Sequence, residues 1–542
     1  MIRRIKRLLI IGLLFLPSLG FCDEFKKIRI DRFEGGQNSA DLASIIDPVQ
    51  GVLYKNTVLN KRGQLFKRKG QSLFASDVSD TAFTGIGVFE PDPNTSYIMA
   101  ASGISILRAA ASGGWIIVND ASPLTAGYDT EFIQANKLLF ILNGANYTSF
   151  YDGSVFTIGS SASVTSGGIT TSSPPIATTA EWLRNYLFTA GEPANNDWVK
   201  FSENLEPMLF VATDLFRVNT GDGQKVVKLE SFKLNELVIY KTKSIFILDI
   251  SGVIPLTNWT LQPITTSIGC AAKRSVVNIG NDHWFLSSEP FAVRSLSRTS
   301  FDKLTTDTVS QPIQDIFDGT GDTILNTTQV SKSAAVLFDN KYILAIPVGT
   351  SVINNFVVVY DFITKSWYTI DGWFPAAWAV WNNNLYYTDA LDGRVIRCFD
   401  SNYADIASGP IVTATSEPTV AINYDYISKA FDFENPENYK RLDALEVEFE
   451  ATGNFNVDVY VNLDSAGWQS AGSINLADDT PVLPNTLPIA LTSKNIARKT
   501  FQLQQYGEFK KIQIRFIQNV YGAKCNLHSY TIFSFLRPWR RE

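Results

Sequence analysis

Three aspartates, Asp361, Asp371 and Asp392, are the first candidates for hydrolytic chemistry in this 542-residue chain. A pair of carboxylates about 5–10 Å apart is enough to hydrolyse a glycosidic bond. Each of the three, however, stands at a turn between strand-like runs, where aspartate commonly forms an Asx turn. No G-x-x-x-x-G-K-[ST] or G-x-G-x-x-G phosphate loop is present. We therefore expect no catalytic residues and no enzymatic activity.

The residues that usually bind metals are scarce. The chain has two histidines, His283 and His528, and we expect both to be packed or rim residues because each lies in an apolar strand-like run. The turn at Asp318–Asp322 has too few spaced carboxylates for an EF-hand calcium loop. The four cysteines are widely scattered and form no CxxC pair: Cys22, Cys270, Cys398 and Cys525. We expect no metal, no cofactor and no disulfide framework, with the last three cysteines buried.

Short strand-like runs make up most of the chain. Runs of 4–8 residues, apolar or alternating and bounded by Gly, Asn, Asp or Ser, follow one another from about Ser76 to Asp400. This spacing predicts a β-propeller of six or seven blades over residues 76–405. The stretch Ser160–Pro175, dense in Ser, Thr and Gly, is predicted to interrupt the series as a surface loop or tether.

A composition shift near Gly409–Pro418 predicts the end of the propeller. The runs that follow alternate between apolar and polar residues, most clearly in Phe455–Val461 and Ile512–Phe516, as expected for strands with one buried face. We predict a β-sandwich over residues 420–542 that folds separately from the propeller. The predicted fold class is all-β, a β-propeller followed by a C-terminal β-sandwich.

The order of these runs also resembles a known group of proteins. An opening segment has a Gly-Gly turn at Glu34–Asn38 and a G-x-L-x-K-R-x-G block at Gly63–Gly70. The later blocks are Trp182–Gly191, Trp198–Glu203, Gly221–Gly223, Val226–Leu229, Glu236–Lys241, Ser244–Leu248, Gly269–Cys270, Arg274–Val276, His283–Ser287 and Ser428–Phe433. Their order resembles the connector and tail β-propeller proteins of tailed double-stranded-DNA bacteriophages, the nozzle or hub and DNA-stabilisation type. The resemblance covers most of residues 28–542.

The resemblance implies a structural virion protein that retains and channels DNA. It implies a homo-hexameric ring that docks on neighbouring connector or tail proteins and assembles in the host cytoplasm. DNA would pass through without sequence-specific binding. The net charge of −6 and pI near 5.3 agree, because a surface that grips phosphate backbones needs clustered Lys and Arg.

A basic run, Lys67, Arg68 and Lys69, lies in residues 23–75, which we predict to be an N-terminal docking segment. Two interpretations are open. The run is either a solvated hairpin, as short charge runs usually are, or a docking site for an acidic neighbouring ring.

Residues 1–22 favour a different hypothesis. Basic residues at Arg3–Arg7 precede an apolar run at Leu8–Leu19, as in a secretory signal peptide, and the run is shorter than a membrane span requires. This signal-like segment leaves open an exported surface or periplasmic β-propeller that binds glycan or protein. A hydrophobic arm inside the virion and a misassigned start are the other interpretations.

Overall fold

The computed structural model describes residues 24–75, 82–110, 114–166, 169–252, 255–298, 304–407, 419–477 and 496–537. The protein is mostly β, and the predicted β-propeller is confirmed. The signal-like segment 1–22 and the boundary stretch Gly409–Pro418 lie outside the described residues. Across the described ranges, no helix is long and apolar enough to cross a membrane. The helical elements are α1 (Gln314–Asp318) and 3-10 turns at Lys273–Ser275, Gln311–Ile313, Val330–Lys332 and Gln504–Tyr506.

Within the described residues, seven sheets follow one another as propeller blades. Blade 1 contains β7 (Phe83–Asp92), β8 (Thr95–Ser102), β9 (Ser105–Ala109) and β10 (Trp115–Ile117). Blade 2 contains β11 (Glu131–Ala135), β12 (Leu138–Leu142), β13 (Ser149–Tyr151) and β14 (Phe156–Thr157). Blade 3 contains β15 (Ser163–Ser166), β16 (Ile169–Ser172), β17 (Thr179–Leu183), β18 (Tyr186–Glu192), β19 (Asn195–Glu203) and β20 (Glu206–Arg217). Blade 4 contains β21 (Val226–Phe232), β22 (Glu236–Lys241), β23 (Ile245–Asp249) and β24 (Thr260–Thr265).

The last three blades complete the ring. Blade 5 contains β25 (Gly269–Cys270), β26 (Val277–Asn278), β27 (Asp282–Ser288), β28 (Ala292–Arg298) and β29 (Leu304–Thr308). Blade 6 contains β30 (Ala334–Phe338), β31 (Lys341–Ile346), β32 (Phe356–Asp361) and β33 (Ser366–Asp371). Blade 7 contains β34 (Pro375–Trp381), β35 (Asn384–Asp389), β36 (Val395–Cys398) and, at its outer edge, β6 (Gln71–Ala75). The inner strand of each blade packs on that of the next, and β34 packs on β7, which closes the ring.

Tight turns between neighbouring strands explain why the sequence forms hairpins here. The turns Arg184–Asn185, Asp339–Asn340 and Asn382–Asn383 have both residues at positive φ. Two-residue hairpin turns of this kind match the twist of the strands that they join, and asparagine tolerates the left-handed conformation.

Blade 3 corrects one prediction. The stretch Ser160–Pro175 was expected to be a loop or tether, but it contains the hairpin β15–β16, which pairs with β20 and extends the blade to six strands. Threonine occurs readily in strands, so a Ser/Thr-rich composition alone does not distinguish a hairpin from a loop.

The C-terminal strands form one large sheet, extend the sheet of blade 6, and form a small two-stranded sheet. Their strands are β37 (Ala404–Ile406), β38 (Thr419–Ala421), β39 (Tyr424–Ser428), β40 (Lys440–Glu450), β41 (Asn456–Leu463), β42 (Trp468–Asn475), β43 (Ile496–Gln502), β44 (Glu508–Phe509), β45 (Ile512–Gln518) and β46 (Asn526–Leu536). The large sheet is centred on β40 and β46, the extension of blade 6 runs through β39, β45, β41 and β42, and β37 pairs with β38. Their facing apolar side chains belong to one buried cluster.

The N-terminal segment joins the propeller to these sheets. Its strands are β1 (Glu24–Ile30), β2 (Gly36–Gln37), β3 (Gln50–Lys55), β4 (Thr57–Leu59) and β5 (Leu65–Lys67). Strand β3 lies between β33 of blade 6 and β39, while β1 and β5 pair with β46. Gly36 has a φ of +65°, and a Cβ there would approach the Ser366 Cβ to 2.5 Å, so this turn requires glycine.

Shared strands change the predicted division at residues 409–418. The apolar cluster of the C-terminal sheets also contains Val357 and Tyr368 from blade 6 and Trp373 from the loop before blade 7. Residues 420–542 therefore depend on strands from residues 24–67, and they share both a sheet and a core with the propeller. The shared sheet and core argue against separate folding of residues 76–405 and 420–542, which stays a prediction.

Candidate functional site

Two residues of the predicted docking run are inside the protein. Lys67 and Arg68 are 2% and 1% exposed, whereas Lys69 is exposed. The Lys67 ammonium donates to Gln518 Oε1 at 3.0 Å, and burial lowers its pKa to about 8. The expectation of an exposed basic run is therefore wrong for Lys67 and Arg68. Lys67 ends β5 and contacts Gln518, while Arg68 follows the strand and contacts Asp405, so both side chains lie between the propeller and the C-terminal sheets.

Arg68 is the centre of a buried junction, which we define as Asn56, Arg68, Asp371, Trp373 and Asp405. Its guanidinium forms a two-pronged ion pair with the Asp405 carboxylate, with Nη1 at 2.8 Å from Oδ1, and lies 4.7 Å from the centroid of the Trp373 ring. Nε donates to Asn56 Oδ1 at 2.8 Å, and Nη2 donates to the Asp371 carbonyl. The junction thus fixes the N-terminal segment to the propeller.

The three candidate catalytic aspartates have structural contacts. Asp361 accepts hydrogen bonds from the backbone amides of residues 363 and 364, which is an Asx turn. Asp371 accepts from the Asn56 amide and pairs with Lys55 at 3.1 Å, and Asp392 pairs with Arg394 at 2.7 Å.

The strand register also separates two of these aspartates. Asp361 is opposite Ser366 and Asp371 is opposite Phe356, so they stand at opposite ends of the β32–β33 pair. At about 3.3 Å per residue this places their backbones about 16 Å apart, too far for a hydrolytic carboxylate pair.

The histidine and cysteine predictions can be checked at five positions. His528 is half-buried beside the Gln64 amide, as expected for a rim residue. His283 is buried between Tyr240 and the Ser231 carbonyl, and burial lowers its pKa to about 4, as expected for a packed residue. The three described cysteines are reduced and buried, as predicted: Cys270, Cys398 and Cys525. Cys22 lies outside the described residues. No group of three or more metal-binding side chains occurs among the described ranges.

The axis of the propeller contains a group of charged side chains, which we call the axial hub. Its centre is Arg274, in the 3-10 turn of blade 5. The guanidinium donates to the carbonyls of Thr84, Thr130 and Ala376, which belong to blades 1, 2 and 7. Blades 1 and 2 lie opposite blade 5 in the ring, so the Arg274 side chain spans the axis. One cation thus connects four of the seven described blades.

Two lysines extend the hub to blades 3 and 4. Lys228 Nζ of blade 4 lies 2.7 Å from Glu131 Oε1 of blade 2. Lys273 Nζ donates to the Thr178 carbonyl at 3.3 Å and lies 4.0 Å from Glu131 Oε2. Burial opposes ionisation of Glu131, but Lys228 and Lys273 outweigh it and hold the pKa of this carboxyl below its usual value. Burial lowers the pKa of Lys273 to about 8.

Two further carboxyls of the hub lack full compensation. Burial, together with the neighbouring Glu181, raises the pKa of Glu230 to about 8. Burial also raises the pKa of Glu181. Lys228 is 3.7 Å from Glu230 but is already paired with Glu131, so one cation serves several carboxyls.

A cavity of about 450 Å³ opens above the axial hub. We call it the mouth cavity. It forms where segments leading into the inner strands of blades 2 to 6 converge. Its lining includes Tyr128, Asp129, Glu192, Lys225 and Lys273. Lys273 is therefore shared between hub and cavity, which makes the two one continuous candidate site.

Sequence reasoning missed this site. Arg274 was noted within the Arg274–Val276 block but had no assigned role, and Lys273 and Glu131 were not singled out. A charged residue inside an otherwise apolar inner strand, as Glu131 and Lys228 are, is the signal that could have found them, because buried charges need partners.

Comparisons with known proteins add little to this geometry. No protein-family model and no curated protein matches the chain. The computationally designed Ika8 protein matches with a TM-score of 0.38 and 12% identity, over 61% of this chain and 100% of that chain. The extracellular domain of a putative hybrid two-component system from B. thetaiotaomicron matches with a TM-score of 0.41 and 10% identity. PorZ, a surface component of the type-IX secretion system of Porphyromonas gingivalis, matches with a TM-score of 0.36 and 12% identity.

The chain spans 40% of the length of each of the last two proteins, which match 62% and 64% of this chain respectively. Likenesses at this level carry no information on function.

Proposed function

We propose that the protein is a structural component of a tailed-phage virion, in the head-to-tail connector or tail conduit, whose copies surround the DNA path. The observation that supports this most is the order of the blocks that resemble phage connector and tail proteins. The closed axis restricts the path that DNA can take. Arg274 spans it to blades 1, 2 and 7, and Lys273 reaches blade 3. A DNA duplex has no passage along an axis bridged in this way. A conduit built from this protein therefore has to lie between several copies.

The blocks that resemble phage proteins also build this architecture. The Gly63–Gly70 block supplies Arg68 to the junction, and the Arg274–Val276 block supplies the side chain that spans the axis. Proteins that share these blocks are expected to share the junction and the closed axis. The blocks on which the resemblance rests thus supply residues that hold the fold together, as expected for a protein with a structural role.

Because Lys67 and Arg68 are buried, we propose that exposed cations of the N-terminal segment dock on a neighbouring ring. Lys61, Arg62 and Lys69 are exposed. Lys61 and Arg62 also line an open cavity of about 540 Å³ together with Lys524, which is paired with Glu450 at 3.1 Å. Such a surface is complementary to acidic partners, and exposed charges mainly set the rate and specificity of association.

Electron microscopy and mass photometry of the full-length chain test the proposal. We expect closed rings, hexameric by the resemblance, and the same protein in purified particles. Changing Lys61, Arg62 and Lys69 together to Ser should leave folding and ring formation intact and block particle assembly. The matched control changes three exposed lysines elsewhere to Ser, namely Lys137, Lys233 and Lys332. A strictly monomeric chain that is absent from particles would contradict the proposal.

A second candidate is an exported surface or periplasmic propeller that binds glycan or protein. Two observations favour it, the signal-like residues 1–22 and the mouth cavity over the axial hub. Cell fractionation with N-terminal mass spectrometry separates the candidates. Mature protein that lacks residues 1–20 in the periplasm supports export, and unprocessed protein in particles supports the virion role.

A further inference from the structure

Each of the two carboxylates that line the mouth cavity has a cationic partner outside the lining. Asp129 lies 3.8 Å from Arg274, and Glu192 lies 2.8 Å from Lys200, so both carboxylates have cationic partners within the protein. Below the cavity, Glu131 is paired with Lys228. The ammonium groups of Lys273 and Lys225 therefore face the cavity with donors to spare for a ligand.

Lys273 is the better placed of the two. Its side chain is 15% exposed, and its Nζ makes one hydrogen bond, to the Thr178 carbonyl, with Glu131 at 4.0 Å. An ammonium group has three donors. A partly desolvated cation on a cavity floor binds an anionic group more strongly than a surface lysine does, because water competes less for it.

The size and rim of the cavity narrow the ligand class. Its volume of about 450 Å³ lies in the range of small-molecule sites. Tyr128 is 48% exposed at the rim and offers an aromatic face, and the exposed Asn196 offers an amide that can both donate to and accept from hydroxyls.

We propose that the mouth cavity binds a sugar that carries a carboxylate, of the uronic-acid class, with the Lys273 ammonium anchoring that carboxylate. Tyr128 stacks on the sugar ring, and Lys225 makes the outer contact. This site goes beyond the virion role, which requires no ligand in the propeller.

Titration of the full chain with three probes tests the proposal: glucuronate, glucose and acetate, followed by calorimetry or ligand-observed NMR. We expect glucuronate to bind at least about tenfold more tightly than either other probe, since charge-assisted contacts and ring contacts both contribute. Lys273→Met should weaken glucuronate binding at least about tenfold, and Lys225→Gln by about two- to fivefold. The control Lys69→Gln, an exposed lysine remote from the cavity, should bind as the unchanged protein does.

The pH dependence provides an independent readout. Lys273 faces Glu131 of β11, Asp129 of the preceding loop, its neighbour Arg274 and Lys228 of β21, and its pKa is lowered to about 8. Glucuronate affinity should therefore fall from about pH 7 to about pH 9. In Lys273→Arg, which stays charged, binding should persist at the higher pH.

Three results would overturn the proposal. Equal affinity for glucose rules out the carboxylate anchor, and equal affinity for acetate rules out the sugar contacts. A folded Lys273→Met variant with unchanged glucuronate affinity rules out the site itself. If that variant fails to fold, undiminished binding by both Lys225→Gln and Tyr128→Ala has the same meaning. The assay needs no assembled particle, so its failure leaves the virion role standing, and failure of ring assembly leaves the site standing.

Discussion

Arg68 and Arg274 are both buried arginines that connect distant parts of the chain, yet their surroundings differ. Arg68 has a dedicated carboxylate, Asp405, and stacks on Trp373. Arg274 donates to neutral carbonyls, and its nearest carboxylate, Asp129, is 3.8 Å away and half-exposed. The junction is electrostatically complete, whereas the axial hub is not.

This difference indicates which charged groups serve only the structure and which are available to a ligand. A fully paired ion pair in a packed interior fixes one conformation and leaves nothing for a ligand to gain. In the hub, Glu230 and Lys273 have pKa values displaced towards neutrality, and a cavity reaches Lys273. Displaced pKa values beside a cavity are typical of functional sites.

Breaking the junction should have the largest effect. Arg68→Met leaves the buried Asp405 carboxylate without its cation, and we expect a loss of about 3–5 kcal/mol in the free energy of unfolding. Chemical denaturation measures it. The exposed neighbour provides the control, because Lys69→Met should change stability by less than about 0.5 kcal/mol. Similar losses for both variants would mean that the ion pair is not what makes this segment important.

Removing Arg274 from the axial hub should destabilise the protein less than removing Arg68 from the junction. Arg274→Met leaves three backbone carbonyls without a donor. We expect the free energy of unfolding to fall by about 2 kcal/mol, because an unpaired buried carbonyl is less destabilising than an unpaired buried charge. Thermal unfolding compares it with Arg62→Met, an exposed arginine whose replacement should be nearly neutral. A loss equal to that of Arg68→Met would remove the proposed distinction between the two regions.

The hub also predicts a pH dependence. The pKa of Glu230 rises from 4.5 to about 8 on folding, so the folded state favours the protonated form. The stability that depends on this proton is present below about pH 4.5 and is lost as the pH rises through 8. Glu230→Gln should remove this dependence and stabilise the protein at pH 8 by at least about 1 kcal/mol. Identical stability curves from pH 5 to 8 for both proteins would argue against a buried, uncompensated carboxyl.

The smallest effect is expected at the former catalytic candidates. Asparagine also forms Asx turns, so Asp361→Asn should change stability by less than about 1 kcal/mol. We further expect no release of reducing sugar from polysaccharides by either protein. Cleavage that disappears in Asp361→Asn would restore the enzyme hypothesis.

Local sequence patterns were sufficient to predict the blades but not the side-chain contacts that connect distant parts of the chain. Asn-containing turns and fully apolar runs such as Leu237–Tyr240 report strands directly, so the propeller was predictable. Contacts such as Arg68 with Asp405, or Arg274 with Thr84, join residues far apart in sequence and leave no local pattern. The basic run was misinterpreted for that reason, because spacing does not reveal which side chains a partner strand covers.

The pairing of β1 with β46, and of β6 with β36, has a consequence for biosynthesis. The first described strand of the chain pairs with the last described one, and β6, the outer strand of blade 7, is made before any blade exists. The sheet of β1 and β46 cannot be completed until nearly the whole chain has left the ribosome, and blade 7 cannot be completed until β36 has been made. Such long-range pairing is slow. Until then β6 remains an unpaired edge, open to other nascent copies of the same chain. We therefore expect residues 24–75, which join the propeller to the C-terminal sheets, to remain unpaired and accessible to ribosome-associated chaperones for the longest time.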